Sequence, residues 1–293
     1  MRTKTLFAAA LVGLGSMANA QTTQMSNDAG AVITPEAGDW AIGFNAAPIL
    51  NYAGNMFNGT IGNSMGSAFV GNDQAIYGKY FVDENTAYRA SLRIMYGSGS
   101  NGVNIDTNTV SSAPSYVTNT GKFSGAGIVL GGGIEKRKGH NRLQGYYGGE
   151  AMITLGGTTP NAEYTYATAL DSTNIADNVM NTDPSLNPNM VNTAANGRTL
   201  STKAGSTFGI GVRGFIGAEY FFAPKMSIAA EYGWGLTWST TGGGETVTEN
   251  FGFDGASATT ETLYNVTSET PKSSSLNIDT DNLGGAIRLM FHF

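Results

Sequence analysis

Between Ser227 and Ser239 the chain alternates cleanly. Ile228, Ala230, Tyr232, Trp234, Leu236 and Trp238 fall on one face, with smaller or polar residues between them. Side chains alternate across a strand with period two, so this run predicts a β-strand with one apolar face. Seven more segments read the same way: Asp39–Pro48, Gln74–Val82, Tyr88–Gly97, Gly125–Glu135, Leu143–Leu155, Thr207–Phe222 and the closing stretch Leu283–Phe293. In the first, Trp40, Ile42, Phe44 and Ala46 share a face. In the last, Leu283, Ile287, Leu289, Phe291 and Phe293 do. One alternating run is a weak signal; eight under a common rule are a strong one.

The rule concerns charge. Every charged residue in the middle of these strands lies off the apolar register: Lys79, Arg89, Arg93, Glu135, Glu150, Arg213, Glu219, Glu231 and Arg288. A basic residue facing lipid at mid-bilayer costs about 2–4 kcal/mol. The segregation therefore predicts apolar faces turned outward to a bilayer and charges turned inward. Five basic and four acidic groups would pair in a narrow lumen, with Lys79 the least constrained. Tyr77, Phe81, Tyr146, Phe215 and Phe221 occupy the same inward register. Side chains fill a barrel of about eight strands, so a plugged lumen is favoured over a narrow pore for ions or small solutes. The expected fold is all-β: an eight-stranded antiparallel transmembrane β-barrel over residues 39–293, with long extracellular loops and short periplasmic turns.

Connection lengths orient it. Asp83–Ala87, Lys136–Arg142 and Ala223–Lys225 are short, whereas 51–73, 98–124, 156–206 and 240–274 are long and rich in Asn, Thr, Ser and Gly. Short turns face the periplasm in such barrels, which puts both termini there. Aromatic girdles are expected at both interfaces. In this threading Trp40, Tyr80, Tyr88, Tyr220, Phe222, Phe291 and Phe293 gather at the periplasmic one, and Tyr96 and Trp238 at the outer one. The basic run Lys136-Arg137-Lys138 with Arg142 reads as a solvated turn. Tyr164 with Tyr166, and Phe251 with Phe253, alternate as if hairpins extended beyond the membrane, offering an edge to a partner strand.

Composition changes the picture at the amino terminus. Arg2 and Lys4 precede an apolar run from Leu6 to Leu14, and Ala18-Asn19-Ala20 supplies a small-x-small cleavage pattern. Residues 1–20 are thus expected to be a cleaved signal peptide, with 21–38 a periplasmic segment before the barrel. Loss of Arg2 and Lys4 takes the formal charge from -6 to -8, which argues against a nucleic-acid partner. There is no cysteine, so disulfides and thiolate chemistry are excluded. Glycine is abundant, at 41 residues, while only 13% of residues are charged. A mean hydropathy of -0.13 fits alternation, which hides hydrophobic strands in a neutral average.

A last strand ending in Leu289, Phe291 and Phe293 resembles the C-terminal signal read by the bacterial outer-membrane assembly machinery. Glu219-Tyr220-Phe221-Phe222-Ala223-Pro224-Lys225 and Leu143-Gln144-Gly145-Tyr146-Tyr147-Gly148-Gly149-Glu150 resemble small outer-membrane β-barrel proteins of the Bacteroidetes type. That group is broadly similar to eight-stranded OmpA/OmpX barrels. The resemblance covers the strands and the closing signal, not the loops. It implies a multi-pass protein of the cell outer membrane in contact with outer-membrane lipids and lipopolysaccharide. It also implies the assembly machinery as a partner during insertion. The role expected is structural, or surface interaction with a protein partner at the loops; an accessory subunit of an envelope complex is the alternative. Asp171-Ser172-Thr173 resembles a short O-glycosylation site of Bacteroidetes export.

Enzymatic chemistry finds no constellation. In small-barrel enzymes the catalytic His sits at the extracellular rim, whereas His140 and His292 both map to the periplasmic end. A general base must reach its substrate, so no catalytic residue is assigned. Glu245, Glu249, Asp254, Glu261 and Glu269 crowd one loop, but neither they nor Asp279-Thr280-Asp281 match a calcium loop. No metal site is expected. Gly131-Gly132-Gly133, Gly148-Gly149 and Gly209-Ile210-Gly211 lack the helix and distal acid of a dinucleotide cradle, so no cofactor is expected. In a narrow barrel such glycines make room for large inward neighbours.

Overall fold

Alternation at period two becomes one hydrogen-bonded sheet. The computed structural model describes residues 32–59, 75–106, 115–157, 161–170, 197–253, 261–280 and 286–293. Along the chain the strands are β1 (Trp40–Asn45), β2 (Ile76–Asp83), β3 (Thr86–Asp106), β4 (Tyr116–His140), β5 (Leu143–Gly156), β6 (Asn161–Thr165) and β7 (Gly197–Lys203). They continue with β8 (Thr207–Ala223), β9 (Met226–Thr241), β10 (Gly244–Phe253), β11 (Glu261–Thr270), β12 (Ser273–Thr280) and β13 (Ala286–His292). One helix, α1 (Ala47–Phe57), follows β1.

Eight of these strands close into a ring in the order β1, β2, β3, β4, β5, β8, β9, β13 and back to β1, antiparallel throughout. Closure is made by β1 and β13, whose ladder continues into Trp40 N–H donating to Phe293 O and Phe293 N–H to Trp40 O, each at 2.9 Å. A closed ring leaves no strand edge unpaired. The turns 84–85, 141–142 and 224–225 all lie at the end where β1 begins and β13 finishes. Asn141 and Lys225 sit there at φ 63° and 61°. Asparagine tolerates that left-handed backbone better than most residues, and lysine does not.

Several boundaries differ from the sequence reading. The first strand stops at Asn45, not Pro48, because Ala47–Phe57 turns into a helix. Pro48 sits in its first turn, and Gly59 beyond its end adopts φ 68°. Proline inside the start and left-handed glycine past the end are the usual helix limits. The turn expected over Lys136–Arg142 shrinks to Asn141-Arg142, because β4 runs on to His140. The long connections are also not plain loops. β3 and β4 stay paired out to Asp106 and Tyr116. From its low end up to Gly127, β4 pairs with β5; farther out it takes β6 instead, at Thr120–Ser124. β6 then pairs β7, β7 pairs β10 and β10 pairs β11, so the same sheet branches outward from one side of the ring. β12 extends the β9 edge beyond β13.

The two faces of the ring are opposites. Outward on β3 stand Tyr88, Ala90, Leu92, Ile94 and Tyr96, paired in register with Ile134, Gly132, Leu130, Ile128 and Ala126 of β4. Ile94, at 68% exposure, and Trp234 of β9, at 59%, are typical of this surface. Along the outward register of β4, Lys136 and Lys122 bracket an uncharged stretch. Inward stand Phe81, Tyr146, Phe215, Phe221 and Met290, all buried. Small residues face the large ones across the ladders: Gly148 lies opposite Phe215, and Gly43 opposite Met290. A Cβ on Gly148 would meet the Phe215 ring at 2.7 Å. These glycines make room, as the sequence reading anticipated.

The leader, Gln74, Asp171-Ser172-Thr173, Asp254, Asp281 and Leu283 lie outside the described residues.

Candidate functional site: the charged interior

Two tiers of charge fill the ring. Near the turns, Lys79 of β2 donates to Glu135 Oε1 of β4 (3.0 Å) and Glu219 Oε2 of β8 (3.1 Å). Arg137 of β4 donates to the same two oxygens, each at 2.7 Å, and its Nε and NH2 both reach Gln144 Oε1. The second oxygen of Glu219 accepts the Ser227 hydroxyl, which lies 2.9 Å from His292 Nε2. Phe81 and Phe221 flank the His292 ring with centroids 5.6 and 5.2 Å away. Glu135, Arg137, Glu219 and His292 have side chains fully shielded from solvent.

Farther in, Glu231 of β9 is the hub. Its Oε2 lies 2.8 Å from Arg89 NH1 and 2.6 Å from Arg288 NH1, and its Oε1 lies 2.8 Å from Arg213 NH1. Glu150 completes this tier, 3.0 Å from Arg213 and 3.8 Å from Arg89. Arg89 links the tiers by a longer 3.7 Å approach to Glu135. Aromatic faces cover the remaining guanidinium surfaces: Arg89 stacks 3.9 Å from the Phe215 centroid and Arg288 4.0 Å from that of Tyr77. Cations over rings are favourable, most of all when desolvated. A buried pair is not by itself net stabilising, but removing one member strands the other.

Eight of the nine charges expected inside meet here: Lys79, Arg89, Glu135, Glu150, Arg213, Glu219, Glu231 and Arg288. Arg93 does not; it makes no ion pair among the described residues, because its register sets it level with Val129 and Thr154, four residues beyond the outermost acid, Glu150. Lys79 is not the least constrained member, since it bridges two carboxylates while only 4% exposed. The larger correction is Arg137, placed by sequence in a solvated turn. With β4 extended to His140, Arg137 keeps the inward register of Glu135 and is buried. Its two-residue spacing from Glu135 was the available signal. Gln144, Ser227 and His292 were likewise not foreseen as members.

Ser227, His292 and Glu219 have the composition of a hydrolytic triad but not its geometry. The hydroxyl and the carboxylate both meet His292 Nε2, and Nδ1 has no partner. A working triad uses the two nitrogens for different partners and needs an accessible nucleophile. Here Ser227 is buried, so the trio packs rather than reacts. The side chain of His140 lies outside the described residues.

The remaining marked residues lie on the outer face. Trp40, Tyr80 and Tyr88 stand in register on β1, β2 and β3 near the turns, with Trp40 and Tyr80 ring centroids 4.8 Å apart. Tyr220, Phe222 and Phe293 are exposed at that same end. Phe291 and Leu289 follow Phe293 up β13, Phe291 stacking on Phe44. Tyr96 and Trp238 are exposed toward the far end.

Beyond the ring, Arg198 of β7 ties the outer branch of the sheet together. Its Nε and NH2 each lie 2.7 Å from Glu249 Oε2 of β10, its NH1 donates to Thr168 O, and its guanidinium covers the Tyr166 ring at 4.3 Å. Glu249, grouped by sequence with a loose acidic loop, is thus committed to an ion pair. No protein-family model matches the chain, and no curated protein matches it either.

Proposed function

We propose that the ring is an eight-stranded transmembrane β-barrel of the bacterial outer membrane, with a plugged lumen, that carries a surface sheet for interaction outside the cell. The observation that supports it best is the segregation of charge. The outward register of β4 is uncharged from Ser124 to Ile134, while the ring's ion-paired charges, from Lys79 and Arg89 to Glu231 and Arg288, all lie on the inward registers of its strands. The interval between Lys122 and Lys136 spans about 35 Å for a strand tilted near 40°, enough for a hydrocarbon core with its interfaces. Trp40, Tyr80, Tyr88, Tyr220, Phe222 and Phe293 at the turn end, and Tyr96 and Trp238 at the other, then form the two interfacial girdles. In this orientation the turns and both termini are periplasmic, and β10 and β11 stand outside.

Plugging is favoured over conduction because side chains close the turn end of the interior. Glu135 and Glu219 have no exposed side-chain surface, and Phe81 and Phe221 are equally shielded. Water-lined pores expose such groups. The surface role rests on β11, which pairs only with β10 among the described residues and so offers a free edge for strand addition. Reconstitution tests the reading. The protein should fractionate with outer membranes, run as a compact species before heating, and pass no steady current in a planar bilayer. Steady conductance would make it a pore; failure to enter bilayers would remove the barrel reading altogether.

A further inference from the structure

The free edge of β11 carries charge of one sign. The only charged residues of that strand are Glu261 and Glu269, at its two ends. Glu269 lies directly opposite Glu245 of β10, and Glu245 in turn lies opposite Lys203 of β7. Like charges facing each other across a ladder destabilise it, and opposite charges support it. The row therefore runs Lys203, Glu245, Glu269 and then an open edge. Lys203 faces the nearer acid, whereas the farther one has only a carboxylate across from it. Lys272, in the turn after β11, makes no ion pair among the described residues, and neither does Glu269.

Two features add to the row. A cleft of about 290 Å³ is lined by Lys203, Glu245, Glu269, Thr270 and the backbone of Gly243 and Gly244. That is just below the range of small-molecule pockets and leaves room for one long side chain. The second feature is the other face of the same strand. Tyr264 and Val266 stand there, 51% and 41% exposed, on the side that Glu269 does not use.

Resting on the strand-addition reading above, we infer that the chain captured at β11 is an extended segment with one basic side chain opposite Glu269 and apolar side chains opposite Val266 and Tyr264. Every pairing in this branch of the sheet is antiparallel, and the guest runs the same way. Its pattern is then a Lys or Arg followed by apolar residues three and five positions later. The cation enters the cleft beside the two carboxylates, so that two bases flank two acids along the row. Main-chain hydrogen bonds hold the guest, and alternate side chains select it.

The test uses the full chain in detergent micelles and fluorescent ten-residue peptides of a threonine background, with Lys at the third position and Val at the sixth and eighth. Companion peptides replace the Lys by Thr or by Glu, shift both valines by one position, or carry two adjacent prolines in the middle. Anisotropy at low ionic strength gives a Kd for each. The Lys peptide should bind about two- to fivefold tighter than the Thr peptide, the range of one cross-strand charge pair, and the Glu peptide weaker than both. The shifted valines should weaken binding, and the prolines should abolish it by removing a ladder donor. Glu269→Lys should invert the order, with the Glu peptide now the tightest; unchanged compact mobility on gels establishes that this exposed variant folds. Any other order in the parent, or the same order in Glu269→Lys, would overturn the basic residue while leaving strand addition in place. Equal binding of the shifted peptide would remove the apolar part of the pattern. Equal binding of the proline peptide, or no binding by any peptide, would defeat the strand-addition reading of β11 itself.

Discussion

The ring of Tyr146 occupies the space from which a side chain on Gly217 would grow. The two residues face each other across β5 and β8, and a Cβ on Gly217 would overlap the tyrosine ring. Lys79 Nζ lies 4.7 Å from the centroid of that ring, so the pair sits directly against the ion network.

Gly217→Val should therefore lower stability by about 1–3 kcal/mol, the usual cost of overpacking. Tyr146→Ala should cost more alone, by emptying the site. Together they should cost less than their sum, because the small residue vacates the space that valine needs. Unfolding midpoints in detergent for the four proteins of this cycle measure the coupling. Strict additivity would mean that the two positions do not share that space.

Arg137→Met should be among the most damaging single changes in the ring. It leaves Glu135 and Glu219, both fully shielded, with one cation fewer, and stranding a buried charge typically costs about 3–5 kcal/mol. Lys138→Met, one residue away on the exposed face, should be nearly neutral. Urea unfolding of both variants distinguishes a buried Arg137 from one in a solvated turn.

That contrast marks where sequence reasoning reached and where it stopped. The register of β9 and the inward set from Lys79 to Arg288 were legible because period two separates the faces of a strand whatever it pairs with. Arg137 was missed because a run of three basic residues looks like a turn, although only the middle one faces inward. α1 was missed because it carries no charge and no long period; Pro48 and Gly59 were its only punctuation. The departure of β4 from β5 to β6 is a long-range choice that no local pattern encodes. Arg198 and Glu249 are 51 residues apart, and nothing near either names the other.

Asp39 and Lys225 latch the start of β1 to the β8–β9 turn, Oδ2 to Nζ at 2.6 Å. Burial raises the Asp39 carboxyl. The hydrogen bond and charge of Lys225, with the Glu36 N–H, outweigh it and hold the group below its ordinary value. A lowered carboxylate stabilises the fold above its unfolded pKa, about 3.9, and ceases to do so as pH falls through the folded value. Lys225 is more than a third exposed, so the effect should stay under about 1 kcal/mol. Asp39→Asn should lower the unfolding midpoint at pH 7, and the difference from the parent should vanish in strong acid. A difference that persists there would assign the effect to something other than this charge.

Arg198→Ala should loosen the outer sheet and spare the ring. Its guanidinium joins β7 to β10 and to the Thr168 carbonyl, and none of these strands belongs to the closed ring. Hydrogen exchange should quicken across β6, β7 and β10 while β5, β8 and β9 stay protected. Equal exchange in parent and variant would make the ion pair superfluous. Exchange rising through the ring as well would make the ring and its outer branch one cooperative unit.

The backbone and the side chain of Phe293 can be separated by different variants. Its backbone closes the ring with Trp40, and its side chain is 61% exposed in the outward register of Leu289 and Phe291. Phe293→Ser keeps the backbone bonds and removes the aromatic group that the assembly machinery is proposed to read. Deleting Phe293 removes both. In cells, each change should sharply lower the amount of protein in the outer-membrane fraction. Refolded into detergent without the machinery, Phe293→Ser should match the parent closely, while the deletion should lose stability by about 1–3 kcal/mol for the two backbone bonds. Normal surface levels of Phe293→Ser in cells would remove the signal role. Equal refolded stability of the deletion and the parent would show that the ring does not depend on this last pair of hydrogen bonds for closure.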